Sequence, residues 1–172
     1  MLHLMIKAVL GFALTVVALG TSAQTQALAG TQLPAQFAGF GPNDTIDKAH
    51  QLLGRPASEE VLGSSKMIVS KWPEKIRVVS HPATRKILIV ALEGRAAVEK
   101  LKAAGVQDRV FEFIGMPRDK ALQILGPPTY SHASAVEWSI KEGRREIAVF
   151  KMYCPAPSLL SPGGCEDMSV SW

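Results

Sequence analysis

Asp47–Pro56 reads DKAHQLLGRP, and Asp119–Pro128 reads DKALQILGPP. Seven of the ten positions are identical at an offset of 72 residues, and Leu52 is matched by Ile124. A near-match of this length at a fixed offset is the mark of a duplicated supersecondary unit. Each window carries the parts of one short helix. Ile46, Ala49 and Leu53 recur at helical spacing in the first, and Ala121, Leu122 and Leu125 make the apolar stripe of the second. Asp44 or Asn43 is placed to cap the first helix, and Pro117 suits the first turn of the other. Gly54 and Gly126 supply a left-handed exit, and Pro56 and Pro127-Pro128 block continuation. The residues that match are structural rather than catalytic.

Working outward, strand patterns follow both helices. Behind the second, Val136, Trp138 and Ile140 alternate with Glu137, Ser139 and Lys141, so one face is buried and one is wet. Glu142-Gly143-Arg144 reads as a turn, Arg145 to Cys154 as a longer strand, and Met168, Val170 and Trp172 as a closing strand. Behind the first helix, Ser58 to Leu62 reads as a further short helical turn. Lys66–Trp72, Ile76–Ser80 and Lys86–Leu92 then read as strands. Ala97, Val98, Leu101 and Ala104 give a connecting helix its apolar side, and Gly105 ends it. Val110, Phe111 and Phe113 suggest a short extra strand. The expected fold is α+β, a tandem repeat of a short helical segment followed by an antiparallel three- to four-stranded sheet. The expected boundaries are residues 43–92 for repeat 1, 93–107 for the linking helix and 108–172 for repeat 2.

The N-terminus predicts export. Lys7 precedes the apolar run AVLGFALTVVALG, and small residues follow; this is the order of a signal peptide over residues 1–23, with cleavage after Ala23 or as late as Ala29. The run is shorter than the ~20 residues a membrane span needs. No cysteine stands near the cleavage site for lipid attachment. Residues 24–42 read as a mobile leader. The expected location is therefore periplasmic or secreted, with no stable membrane span after cleavage.

Two cysteines remain, Cys154 and Cys165, and an even count in an exported chain reads as a disulfide. The ten residues between them hold three prolines and two glycines, hence a loop. Net charge is +4, too mild and too dispersed for a nucleic-acid stripe. His50, His81 and His132 are scattered, and Asp47 and Asp119 sit where a helix dipole favours an acid. No catalytic, metal or cofactor constellation emerges, and no partner-binding residue can be assigned. The tryptophans Trp72, Trp138 and Trp172 read as core, while Tyr130 and Tyr153 are the aromatics placed for exposure.

Phe113-Ile114-Gly115-Met116, Ala121, Leu125-Gly126-Pro127-Pro128 and Trp138 form a pattern, Gly-Met-x4-Ala-x3-Leu-Gly-x-Pro followed by a strand tryptophan. This resembles the SmpA/OmlA domain, the small-subunit type of the bacterial outer-membrane β-barrel assembly machinery. It also resembles the repeat of β-lactamase-inhibitor-protein-like folds. The first copy departs, with Asn43-Asp44 in place of Gly115-Met116. The resemblance implies a non-enzymatic module that binds a protein partner on joined sheets, or alternatively an inhibitor of a secreted enzyme such as a β-lactamase or protease. A small ligand-binding protein or hydrolase, using a cleft between the copies, is the third reading.

Overall fold

In a computed structural model of the chain, residues 36–155 and 163–172 are described, and they build one antiparallel sheet with helices against it. The expected signal peptide, the leader up to residue 35 and residues 156–162 of the inter-cysteine loop lie outside the described residues. In chain order, α1 spans Ile46–Leu53, β1 Ser58–Leu62, β2 Met67–Trp72, β3 Ile76–Ser80 and β4 Ile87–Glu93. After these come α2 (Gly94–Ala103), a 3₁₀ helix (Arg109–Phe113) and α3 (Arg118–Leu125). The last four strands are β5 (Tyr130–Ser131), β6 (Ala135–Glu142), β7 (Arg145–Tyr153) and β8 (Asp167–Ser171). A helix followed by four strands therefore occurs on either side of α2.

The eight strands join in the order β1-β2-β3-β4-β8-β7-β6-β5. The seam is the β4–β8 pair, with Val90 opposite Val170 and Leu92 opposite Met168. Side chains alternate across a strand, so one face collects Trp72, Ile76, Val78, Val90, Leu92, Val136, Trp138, Phe150, Met152, Met168 and Val170. The helices fill this face with Ala49 and Leu53, Ala97, Val98 and Leu101, and Ala121 and Leu125. One continuous hydrophobic core results, spanning both sets of strands.

Local chemistry explains where the structure departs from the sequence reading. Ser58–Leu62 is a strand, not a helical turn, because it zips along β2 from Ser58–Lys71 to Leu62–Met67; tertiary pairing overrides local preference. Val110, Phe111 and Phe113 lie in the 3₁₀ helix rather than a strand. All three are buried in the same core, and neighbours such as Val110 and Phe111 would point to opposite faces of a strand. Asp108 starts this helix by accepting the Val110 N–H at 3.1 Å. Asp44 does not cap α1; Thr45 holds the cap position, bridged to Lys86. The Asp44 carboxylate instead accepts the Gly41 N–H and the Lys48 ammonium, each at 2.7 Å. Pro117 stands just before α3 rather than in its first turn.

The expected leader is anchored where it is described. Phe37, Ala38 and Phe40 are buried. Phe37 and Phe40 exchange two backbone hydrogen bonds across a turn whose central residues, Ala38 and Gly39, both have positive φ. The Phe37 ring lies 5.8 Å from that of Phe150 on β7, and the Ala38 N–H reaches the Asp108 carboxylate at 2.7 Å. Two large aromatics, each able to remove 150–250 Å² from water, hold this turn against the core.

Candidate protein-docking face

The buried residues of every described helix belong to the one core, so among the described residues the opposite face of the sheet carries no helix. The strand registers align its side chains in rows. One row runs Ser58, Lys71, Arg77, Ala91, Ser169, Lys151, Glu137 and Tyr130 across all eight strands. The next runs Glu60, Val69, Val79, Ile89, Ser171, Val149 and Ser139. A third places Glu93, Asp167, Tyr153 and Ala135 side by side. Val69, Val79 and Ala91 are buried, and Ile89 and Val149 are half-buried. The middle of the face is thus an apolar stripe with small serines beside it.

Charge surrounds that stripe in opposed pairs. Lys71 Nζ bonds both oxygens of Glu60 at 2.7 Å. Lys151 Nζ lies 2.8 Å from Glu137, and Arg77 lies 3.8 Å from Glu93. Half-exposed pairs of this kind contribute little to stability, about 0–1 kcal/mol each. Their effect is to make the rim neutral and polar. At the seam, burial raises the Asp167 carboxyl above its ordinary range, helped by Glu93 and Glu166 and opposed by Lys75 and Arg77. Tyr153 (41% exposed) stands in the same row, and Tyr130 (56%) ends the first row. These are the two aromatics that the sequence marked for exposure. Trp72 and Trp138 are core residues, and Trp172 packs half-buried against the core.

Residues that could have carried chemistry are dispersed. His50 lies 3.7 Å from Glu59 and stacks toward Trp72 with ring centres 6.1 Å apart. The Ser70 hydroxyl donates to the same Glu59 at 2.8 Å, so serine and histidine share one carboxylate. His81 Nδ1 accepts the Ala83 and Thr84 N–H groups within a turn, and His132 lies in the exposed stretch between β5 and β6. Asp47 is held by Arg85 at 2.6 Å, which pushes its carboxyl below the ordinary range. Asp119 is exposed at the start of α3. Two open clefts, of about 460 and 540 Å³, are lined by neither His50 nor His132. Among the described residues, no group of three His, Cys, Asp or Glu side chains could hold a metal ion.

Cys154 and Cys165 are joined, S–S 2.06 Å, just past the Tyr153–Asp167 pair of β7 and β8. The Cys165 backbone exchanges two hydrogen bonds with Gly115 and Met116, 2.8 and 2.9 Å. Gly164 explains its own identity there: a Cβ would meet the Gly115 carbonyl at 3.3 Å. Among the described residues, no helix is long and apolar enough to cross a membrane. Sequence reasoning foresaw the cysteine pair and both tyrosines but not the rows of the open face. Its signals were single-strand ones: the polar half of the β6 alternation, Ser169 and Ser171 in β8, and the shared face of Val149, Lys151 and Tyr153 in β7. Comparison of the chain with protein-family models, with curated proteins and with solved structures finds no match.

Proposed function

We propose that this chain is an exported, non-enzymatic protein-binding module of the periplasm or cell envelope, and that its partner docks on the open face of the joined sheet. The observation that carries the reading is the face itself: the half-buried Ile89 and Val149 on either side of Ser171, rimmed by mutually neutralised charges and two exposed tyrosines. An apolar centre within a polar rim, with tyrosine at hand, is the composition of a protein interface. Export is supported by the succession of basic, apolar and small-residue stretches in the sequence of residues 1–23 and by the disulfide, which persists in oxidising compartments. A duplicated SmpA/OmlA-like unit is supported by the two matched windows and by a repeated detail. Trp72 Nε1 donates to the Gly54 carbonyl at 3.1 Å, and Trp138 Nε1 to that of Gly126 at 3.2 Å.

The inhibitor reading would favour an exposed aromatic or acidic residue reaching beyond the sheet on a loop; among the described residues the exposed tyrosines, Tyr130 and Tyr153, are both strand residues. The test is capture from periplasmic extract with the mature protein and with Ile89→Glu and Ser169→Arg. A stoichiometric partner held by the parent and lost by both variants is expected. Chaperones alone, or a partner indifferent to both substitutions, would sink the proposal. A panel of β-lactamases and proteases left fully active by the purified protein is expected in parallel.

A further inference from the structure

The cations of this chain are scattered in sequence, but the fold sorts them. Strand order and direction set the β1–β2, β3–β4 and β6–β7 turns along one end of the sheet. Neighbouring strands lie about 4.8 Å apart, so these turns follow one another at about 10 and 15 Å along that edge. On the open face Lys71, Arg77 and Lys151 each stand against a carboxylate. The edge is different. Lys66 in the first turn and Arg144 in the third are exposed, and among the described residues their side chains have no ion pair or hydrogen bond. Lys86 in the second turn is exposed and reaches only the neutral Asn43, at 3.5 Å. Arg85 beside it is taken by Asp47. Lys141 and Arg145 stand opposite Glu146 and Glu142 in the β6–β7 ladder and cancel in charge. One uncompensated cation per turn remains: Lys66, Lys86 and Arg144.

The same edge carries exposed apolar surface. Val61 is 68% exposed and Leu62 45%, beside the turn that holds Lys66. Their ladder partners Ile68 and Met67 are only half-buried. Basic and apolar side chains together suit an anionic bilayer. Headgroup phosphates attract the cations, and an apolar tip enters the headgroup region. The attraction acts over about 10 Å, so turns on a twisted edge need not lie in one plane. An acidic protein segment would meet the cations but has no use for the apolar tip. At the opposite end of the sheet Asp167 sits among Glu93 and Glu166, which turns that end away from a negative surface. The geometry points to this edge as a peripheral contact for an anionic lipid bilayer, one that stands the sheet on the membrane surface with its open face free at the side. The inference holds whether or not that face docks a protein.

The test is co-sedimentation of the full mature protein with vesicles. One set is phosphatidylcholine alone; two others contain about one third phosphatidylserine or phosphatidylglycerol. Equal binding to both anionic mixtures, none to phosphatidylcholine, and release at high salt are expected. Lys66→Gln/Arg144→Gln should weaken binding about thirtyfold. Arg109→Gln/Lys120→Gln removes the same charge from the helical side of the sheet and should cost less than about threefold. Val61→Ser/Leu62→Ser should weaken binding about tenfold. All six substituted side chains are exposed, so thermal midpoints should stay those of the parent. The proposal is overturned by no binding, by preference for one anionic headgroup, or by an equal loss in the helical-side variant. Binding indifferent to Val61→Ser/Leu62→Ser, or soluble polyglutamate held more tightly than vesicles, overturns it in favour of an acidic protein partner.

Discussion

Gly54 and Gly126 close their helices with φ of 81° and 78° and ψ of −168° and −174°. The left-handed helical exit expected of them has positive ψ, so only half of that expectation describes them. Their φ and ψ fall in a region that is essentially glycine's alone. A Cβ at either position would meet nothing within 4 Å. Substitution there isolates a backbone cost from any packing cost. Gly54→Ala and Gly126→Ala should each lose about 1–3 kcal/mol in urea unfolding; a loss near zero would mean the turns relax freely. The glycines were legible in the sequence because a helix pattern stops at each. The tryptophan bonds to their carbonyls were not, since the acceptor belongs to a turn and the donor to a strand whose register no local pattern fixes.

Elements show the same division. The helices α1, α2 and α3 and the strands β2, β3, β6, β7 and β8 follow from periodicity, because each has one face committed to the core. β1 has no such face and reads as a helical turn; only its pairing with β2 makes it a strand. The β4–β8 pairing, with Glu93 opposite Asp167, joins residues far apart in the chain and has no local signal, so the open face could not be assembled from sequence. That pairing has a pH signature. The folded protein holds the Asp167 carboxyl above its ordinary range, chiefly by burial. Ionisation is therefore easier in the unfolded chain, and the site detracts from stability at neutral pH. The penalty fades as pH falls through the folded value toward about 4. Asp47 has the opposite sign: Arg85 lowers it, and its stabilising contribution is lost on acidification through the folded value. Asp167→Asn should be more stable than the parent at pH 7 in urea titrations, with the advantage shrinking toward pH 4. An advantage that grows on acidification would contradict the assignment.

For the molecule as a whole, the disulfide is the one covalent tie between β7 and β8 beyond the chain itself. Its residues are 11 apart in sequence, and a loop of that size predicts up to about 3 kcal/mol of stabilisation. Cys154→Ala/Cys165→Ala, compared with the oxidised parent by urea unfolding, should lose that amount or less with one cooperative transition retained, because a single core spans both sets of strands. Two separate transitions would mean that the seam is weaker than its continuous core implies. Cys165 also borders Gly115 and Met116 through its backbone, so loss of the tie should loosen the turn before α3 as well as the end of β8.

The strand order holds a kinetic consequence. β8 follows all the other strands in the chain, yet it lies between β4 and β7 in the finished sheet. A chain emerging N-terminus first can zip β1 to β4 early, but β4 then waits with a bare edge until β8 arrives, more than seventy residues later. Closure across such a separation is slow, and the waiting edge is open to wrong partners. The joining of the sheet is thus a late event in the birth of this protein, and a holding chaperone would find its task in that interval.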